Sequence, residues 1–143
     1  MSYISLTYHF IFGTRYRKQT IDQRYEKELY KFMYNFLVKR NVVVRRIGGM
    51  PDHVHILCDI PPKYAVSDVI KLLKIESSKF MKINEHFPIW EGWADGYGGF
   101  TIDASLAETR RQYIMNQRQH HSRMGFDEEL RIFLSECGLE ECE

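Results

Sequence analysis

Two histidines in the run PDHVHILCDI, residues 51–60, constrain this chain more than any other feature. The run is typical of a buried β-strand, yet it carries two imidazoles. Side chains alternate between the faces of a strand, so His53 and His55 point to one face while Val54 and Ile56 point to the other. At the usual strand rise the two histidines lie roughly 7 Å apart and can bind one divalent metal ion. Two polar residues on a solvated sheet face would give the same short motif, so the motif alone leaves both interpretations open.

A second cluster lies in residues 105–124, which we predict to form one helix. The segment begins with a Ser-x-x-Glu capping box and contains neither Gly nor Pro before its end. Residues four apart share a helix face, which places Tyr113 against Gln117, with His120 and His121 further along roughly the same side. An ordinary amphipathic helix whose tyrosine packs on the sheet is the alternative.

These residue types would suit phosphoryl transfer at a metal site. The imidazoles of His53 and His55 and the amide oxygen of Gln117 make an uncharged, incomplete ligand set that leaves positions open for phosphate oxygens. Such oxygen-rich substrates favour Mg²⁺ or Mn²⁺, although imidazoles also bind Zn²⁺ or Ni²⁺. Tyr113 is the candidate nucleophile, and its phenol, with a pKa near 10, needs a metal or a base to attack as phenolate.

Four motifs carry a resemblance to a known family. They are DHVHIL at 52–57, GYGGF at 96–100, YIMNQRQHH at 113–121 and FDEEL at 126–130. In this order they resemble the single-tyrosine HUH transposases of small bacterial insertion sequences, the TnpA type of the IS200-like family. The resemblance covers essentially all of the chain.

The resemblance implies a detailed activity. Single-stranded DNA would be cleaved to leave a 5′-phosphotyrosine and a free 3′-OH, and a single-stranded circle would be excised and inserted. It also implies recognition of subterminal hairpins and a homodimer in which each tyrosine helix can complete the partner's site. No nucleotide cofactor is implied. The expected location is the bacterial cytoplasm, at the nucleoid.

The order of the predicted elements favours an α+β, ferredoxin-like fold, the split β-α-β arrangement, with appended C-terminal helices in one domain spanning residues 1–143. Beside the histidine strand we predict strands at 6–16, 41–47 and 99–102, helices at 22–40, 67–84, 105–124 and 127–137, and a turn at 48–51. The apolar side of the histidine strand should face two helices. The histidines would then occupy the open face, which the tyrosine helix can cover.

Charge is segregated along the chain although the net charge is only +1. Residues 1–126 hold 19 Lys and Arg against 12 Asp and Glu, whereas residues 127–143 hold one Arg against seven acids. The basic body suits phosphate contacts, and the acidic end is expected to lie away from the nucleic acid. Candidate DNA contacts are Arg15, Arg17, Lys18, Lys74, Ser78 and Lys79, with a solvated charged surface as the alternative.

The remaining candidates concern residues around the site. Asp59 shares the histidine face and could orient a ligand, while His120 and His121 could bond near the metal site or cap the helix end. Cys58 is predicted to be a small core residue, and the three cysteines have no metal-site spacing.

Two functions from different classes fit the sequence. The first is an active single-strand DNA transposase. The second is a non-catalytic DNA-hairpin-binding regulator derived from one. A relaxase or replication initiator is disfavoured because the chain is short and has no second domain. The presence of Tyr113, Gln117 and both strand histidines favours the first function.

Overall fold

The computed structural model describes residues 3–117 and 125–139. Its centre is a four-stranded antiparallel sheet in the order β2-β3-β1-β4. The strands are β1 (Thr7–Gly13), β2 (Val43–Met50), β3 (His53–Asp59) and β4 (Gly98–Ile102). This order and direction confirm the predicted α+β, split β-α-β fold.

Two long helices cover one face of the sheet. They are α1 (Glu26–Val38) and α2 (Val66–Ile83), close to the predicted positions. Their apolar side chains form one large core with Phe10, Val54, Ile56 and Cys58 of the central strands. Cys58 is buried there, as predicted. Among the residues described, none of the helices has the length and apolar character needed to cross a membrane.

Two shorter helices, α3 (Ala107–Met115) and α4 (Phe126–Glu136), lie against the opposite face. This face carries the strand histidines and a smaller apolar cluster in which Ile114 of α3 packs with Leu57 and Ile102. Phe133 of α4 packs with a second group on the same face. The prediction that the histidines face away from α1 and α2 is therefore confirmed.

The glycines before the histidine strand lie in β2, so the predicted turn at 48–51 was wrong. The connection between β2 and β3 consists of Pro51 and Asp52 alone. A Cβ on Gly48 would lie 2.8 Å from Cγ2 of Ile114, and one on Gly49 would lie 2.3 Å from the His53 carbonyl oxygen. The two glycines therefore let α3 and β3 approach the backbone of β2 closely.

The tyrosine helix is shorter than predicted. It ends at Met115, and Asn116 leaves the helical conformation with φ −96° and ψ 17°. A short 3₁₀ turn, Ala104–Leu106, precedes it, and the Asp103 carboxylate rather than Ser105 caps that turn by accepting from the Ser105 amide at 2.9 Å. Residues 118–124 of the predicted helix, with His120 and His121, lie outside the described residues.

The first strand and the first helix are also shorter than predicted. β1 stops at Gly13, after which Arg15–Arg17 forms a 3₁₀ turn in which Tyr16 has a φ of 57°. Asp22 does not cap α1, because its carboxylate accepts from the Arg24 amide at 2.9 Å in a turn before the helix begins. Local side-chain bonds of this kind compete with helix formation.

Candidate metal and tyrosine site

His53 is held in one orientation by the residue before it. Both strand histidines are fully buried. The Nδ1 atom of His53 lies 2.7 Å from Oδ1 of Asp52, and Nδ1–H donates to that carboxylate. The opposite nitrogen, Nε2, then carries a lone pair, and it accepts from the Gln117 amide nitrogen at 2.9 Å. A carboxylate behind a histidine is a common way to orient a metal ligand.

Gln117 reaches this point because α3 ends just before it. Ile114 anchors the end of α3 on the sheet, and the Gln117 side chain is 2% exposed. The structure thus brings His53, His55 and Gln117 together, the convergence expected from the sequence.

Glu129 is the residue that the sequence interpretation missed. It comes from α4 and is 1% exposed. Its Oε1 lies 2.6 Å from Nε2 of His55, and its Oε2 lies 3.8 Å from Nε2 of His53. The Gln117 amide also donates to Oε1 at 3.2 Å. The ligand set is therefore not uncharged, since it includes a buried carboxylate.

The helix that carries Glu129 is fixed over the histidines by aromatic rings and ion pairs. The Phe126 ring lies 4.6 Å from that of His53, and the Phe133 ring lies 4.8 Å from that of His9. Arg17 pairs with Asp127, and Arg110 bonds Glu136 at 3.1 Å. The helix at the acidic end of the chain, which was expected to lie away from the nucleic acid, thus covers the strand histidines.

A signal for Glu129 was present in the sequence. The apolar side of α4 is formed by Phe126, Leu130 and Phe133. Glu129 lies three residues after the first of these and four before the last, which puts a charge inside the apolar stripe. A carboxylate there is buried unless the helix turns away, and a buried carboxylate needs partners.

Tyr113 lies beside the histidines and below α4. Its ring centroid is 6.3 Å from that of His55 and 5.5 Å from that of Phe133. Its hydroxyl donates to Glu129. Burial, followed by the charge of Glu129, raises the pKa of Tyr113 above its usual value. The phenol is therefore protonated at neutral pH in this arrangement.

A third buried histidine lies behind His55 and was not predicted. His9, on β1, places Nε2 2.6 Å from Nδ1 of His55. Its other ring nitrogen, Nδ1, accepts from Arg110 at 2.7 Å. Burial, and then the neighbouring His55, lowers the pKa of His9 well below its usual value, so His9 is neutral at neutral pH.

Asp59, proposed from the sequence as a ligand-orienting residue, lies at the far end of β3. Its carboxylate accepts from Arg45 at 2.9 and 2.8 Å. It lies four positions after His55 along the strand, a span of roughly 13 Å. The β3-side aspartate that contacts a strand histidine is Asp52, not Asp59.

The candidate DNA contacts divide into paired and groove-lining residues. Lys18 pairs with Glu91 at 2.9 Å. The Lys74 ammonium donates to the carbonyls of Ala94 and Gly96 at 2.7 and 2.9 Å, and burial lowers the pKa of Lys74. A groove of about 390 Å³ lies between α2 and the loop before β4. The polar residues that line it include Arg15, Lys74, Ser78, Lys79 and Lys82.

The donor set fits a divalent metal ion. One nitrogen from each of His53 and His55 and one oxygen from Glu129 lie within 4.8 Å of one another. Two imidazoles and a carboxylate are a common ligand combination for first-row divalent metals, and carboxylate and amide oxygens also suit Mg²⁺ and Mn²⁺.

Comparison with known proteins places the chain in one family. The family described as "Transposase IS200 like" matches residues 2–117, which include both strand histidines, Tyr113 and Gln117. The ISDra2 transposase TnpA of Deinococcus radiodurans is 28% identical over 119 residues, covering 78% of this chain and 84% of that protein. The transposase of insertion sequence element IS200 from Salmonella typhimurium is 28% identical over 115 residues, covering 77% of this chain and 75% of its own.

Solved structures give the same assignment at the level of the fold. A proposed transposase from Deinococcus radiodurans R1 superposes with a TM-score of 0.60 at 25% identity, covering 82% of this chain and 95% of its own. A REP-associated tyrosine transposase bound to a REP hairpin superposes with a TM-score of 0.64 at 14% identity, covering 87% and 76%. With most of its length matched by the family, this chain belongs to the IS200-like transposases.

Proposed function

We propose that this transposase cleaves and rejoins single-stranded DNA at insertion-sequence ends through a 5′-phosphotyrosine on Tyr113. A divalent metal ion, Mg²⁺ or Mn²⁺, would be held by His53, His55 and Glu129. Gln117 would join them once its amide turns to present the oxygen, because the amide nitrogen faces His53 in this structure. The observation that carries the proposal is the buried cluster of these four groups directly beside the Tyr113 phenol. Membership in a transposase family supports DNA as the substrate.

The chemistry follows from the contacts of Tyr113. Its phenolic oxygen attacks the scissile phosphorus, the new O–P bond forms, and the bond from phosphorus to the 3′ oxygen breaks. The released 3′ oxygen takes a proton from solvent and becomes the free 3′-OH. The phenolic proton passes to Glu129, which already accepts it as a hydrogen bond. A bound metal ion would supply Lewis-acid stabilisation of the developing charge on the phosphate. Because the adduct is still a phosphodiester, rejoining needs no nucleotide hydrolysis.

Substrate entry requires a change in the cover over the site. His53, His55, Gln117 and Glu129 are at most 2% exposed, so a phosphodiester cannot reach them while α4 is in place. A groove of about 680 Å³ between α1, β2 and the end of α3 reaches Gln117. Its lining includes the cations of Arg24, Lys27 and Arg46, and we expect the single strand to enter there.

Hairpin recognition and dimerisation complete the proposal. The structurally similar REP-associated transposase is bound to a hairpin, which supports hairpin binding by the same fold here. We assign this contact to the basic groove along α2, where Arg15, Lys79 and Lys82 are candidate phosphate contacts. The active unit would be a homodimer, which light scattering at micromolar concentration tests directly.

The test is the covalent adduct. With Mn²⁺ and a single strand carrying the element's own end, wild type should give a denaturation-resistant adduct that retains label on the 5′ side of the downstream fragment. Tyr113→Phe removes only the hydroxyl, so adduct and cleavage should vanish while binding persists. Tyr16→Phe is the matched control, because Tyr16 is 78% exposed and its side chain is not part of the buried cluster. An adduct that survives Tyr113→Phe would place the nucleophile elsewhere.

Removing the metal tests the second half of the proposal. Chelation, or replacement of both strand histidines by Ala, should abolish cleavage and leave hairpin affinity nearly unchanged. Equal loss of both would mean that the histidines act only in the fold. Binding without any adduct in the wild type, on its true ends, would instead favour the non-catalytic regulator.

A further inference from the structure

A chain of hydrogen bonds links the tyrosine helix to one of the two strand histidines. Arg110, three residues before Tyr113 on α3, donates to Nδ1 of His9 at 2.7 Å. Nε2 of His9 lies 2.6 Å from Nδ1 of His55, and Nε2 of His55 lies 2.6 Å from Glu129. Both ring nitrogens of His9, and Nδ1 of His55, are thus engaged in hydrogen bonds, and Nε2 of His55 faces the Glu129 carboxylate.

The chain fixes which nitrogen carries each proton. A guanidinium can only donate, so Nδ1 of His9 has no proton. Neutral His9 therefore carries its proton on Nε2 and donates it to Nδ1 of His55. Neutral His55 then carries its proton on Nε2, the nitrogen that faces Glu129 and would have to bind a metal ion.

The two strand histidines consequently differ. His53 has its proton on Nδ1, bonded to Asp52, and its Nε2 lone pair faces the site. His55 presents an N–H to the same site. One of the two ligands is in the metal-binding tautomer in this arrangement, and the other is not.

We propose that the Arg110–His9 contact and metal binding by His55 exclude each other, and that His9 and Arg110 are positioning residues for that ligand. The inference rests on the proposed metal site. When Nε2 of His55 becomes a ligand, its proton moves to Nδ1 and is donated to Nε2 of His9. The His9 proton then lies on Nδ1, where it faces the guanidinium. The number of protons is unchanged, but two donors oppose each other and Arg110 must leave.

The consequence reaches both elements that cover the site. Arg110 belongs to α3, the helix of Tyr113, and it also bonds Glu136 of α4 at 3.1 Å. Its release from His9 removes a polar anchor of the tyrosine helix on the sheet. Metal loading and freedom of the tyrosine helix are thereby coupled through two buried imidazoles.

Proton-detected ¹⁵N NMR of the histidine rings tests the tautomers without any activity measurement. In the metal-free protein, His9 and His55 should both show the Nε2–H tautomer and His53 the Nδ1–H tautomer. Saturation with Zn²⁺, a diamagnetic probe, should convert His9 and His55 to Nδ1–H. An Nδ1–H tautomer of His55 before Zn²⁺ is added, or a His9 ring that does not change, would overturn the proposal.

Calorimetric titration with Mn²⁺ measures the exclusion itself. Arg110→Met should tighten Mn²⁺ binding by about tenfold, the usual worth of one charge-assisted hydrogen bond. Arg111→Met is the matched control, because it removes the same charge from the same helix at a residue whose partner is Glu108. Wild-type protein that binds no Mn²⁺ would refute the proposed metal site. Binding that Arg110→Met leaves unchanged would refute only the exclusion.

A double-mutant cycle separates the tautomer effect from simple charge repulsion. His9→Phe keeps an aromatic ring against Phe133 but breaks the chain between Arg110 and His55. In that background Arg110→Met should no longer change Mn²⁺ affinity. A gain of the same size in both backgrounds would show that the guanidinium acts only as a nearby positive charge, and the proposal would fall.

Discussion

The two faces of the sheet are built on different principles. Under α1 and α2, of 13 and 18 residues, the strands present apolar side chains to a single large core. Under α3 and α4, of 9 and 11 residues, the same strands present three histidines, which meet a carboxylate and an amide. One face supplies the apolar burial that stabilises the fold. The other uses that rigidity to keep polar groups close together.

The polar face is stable only because its groups are partnered. A buried carboxylate or imidazole without a hydrogen bond costs several kcal/mol, so each must find a donor or acceptor. His53 has Asp52, His55 has His9, and Glu129 has Gln117 and Tyr113. These hydrogen bonds form a network, so replacing one side chain alters the hydrogen bonding of its neighbours.

The largest effect we expect compares neighbouring residues of β3 that point to opposite faces. Ile56 and Leu57 are both fully buried, Ile56 in the large core and Leu57 under Ile114 of α3. Ile56→Ala should cost about 4–5 kcal/mol and Leu57→Ala about 2–3 kcal/mol, because the short helices can close part of the cavity. Denaturant unfolding of both variants measures the difference. Equal losses would mean that the two faces are equally rigid.

The apolar face was predictable from the sequence because one rule governs it. Alternation along the histidine strand separated the apolar side from the histidines, and helical periodicity placed α1 and α2. These patterns need only local sequence and the burial of apolar area. The same alternation put His53 and His55 on one side without any knowledge of their partners.

The polar face was only partly predictable because its partners come from distant segments. Tyr113 and Gln117 were selected from their spacing in a predicted helix, although the helix of Tyr113 ends at Met115. Glu129 was read as part of an acidic end, although its place in the apolar stripe of α4 marked it for burial. His9 alternates with Phe10 on β1, yet the sequence does not show which strand neighbour its ring will meet. Gly48 was wrongly predicted to lie in a turn. Glycine is required there by the close contact with Ile114, which comes from a distant segment and cannot be seen in the local sequence.

A second prediction breaks the polar network at Glu129. Glu129→Gln keeps the shape but removes the charge, so the pKa of Tyr113 should fall toward its ordinary value, since Glu129 is the main cause after burial. Mn²⁺ affinity should fall at least about tenfold. The Tyr113 pKa is measured by difference titration at alkaline pH against the same variant lacking the Tyr113 hydroxyl. The Mn²⁺ affinity is measured by calorimetry.

The same substitution predicts a change in alkaline stability. Because the Tyr113 pKa is raised in the folded state, the unfolded chain releases this proton first, and stability falls as pH rises above about 10. In Glu129→Gln that alkaline loss should be smaller. Glu128→Gln, an exposed neighbour, is the control and should match wild type in both measurements. An unchanged Tyr113 titration in Glu129→Gln would mean that burial, with a smaller contribution from Glu136, raises the pKa of Tyr113.

The smallest effect concerns the ion pair at the start of α4. Arg17 and Asp127 have side chains that are 41% and 61% exposed, so solvent screens their attraction. Asp127→Asn should lower the free energy of unfolding by about 0.2–1 kcal/mol, and less in high salt. The cover should stay in place, because Arg17 still lies over the Phe126 ring, 4.2 Å from its centroid, and Phe133 still packs on His9.

Glu128→Gln again provides the comparison for Asp127→Asn, since it removes one charge from the same helical turn. The difference between the two variants in thermal unfolding gives the worth of the pair with Arg17. Hydrogen exchange of the α4 amides reports whether the cover opens more often. A loss above about 2 kcal/mol, more than an exposed pair can supply, would mean that charge rather than aromatic packing holds α4 over the histidines. In that case ionic strength would control how often α4 opens over the polar face.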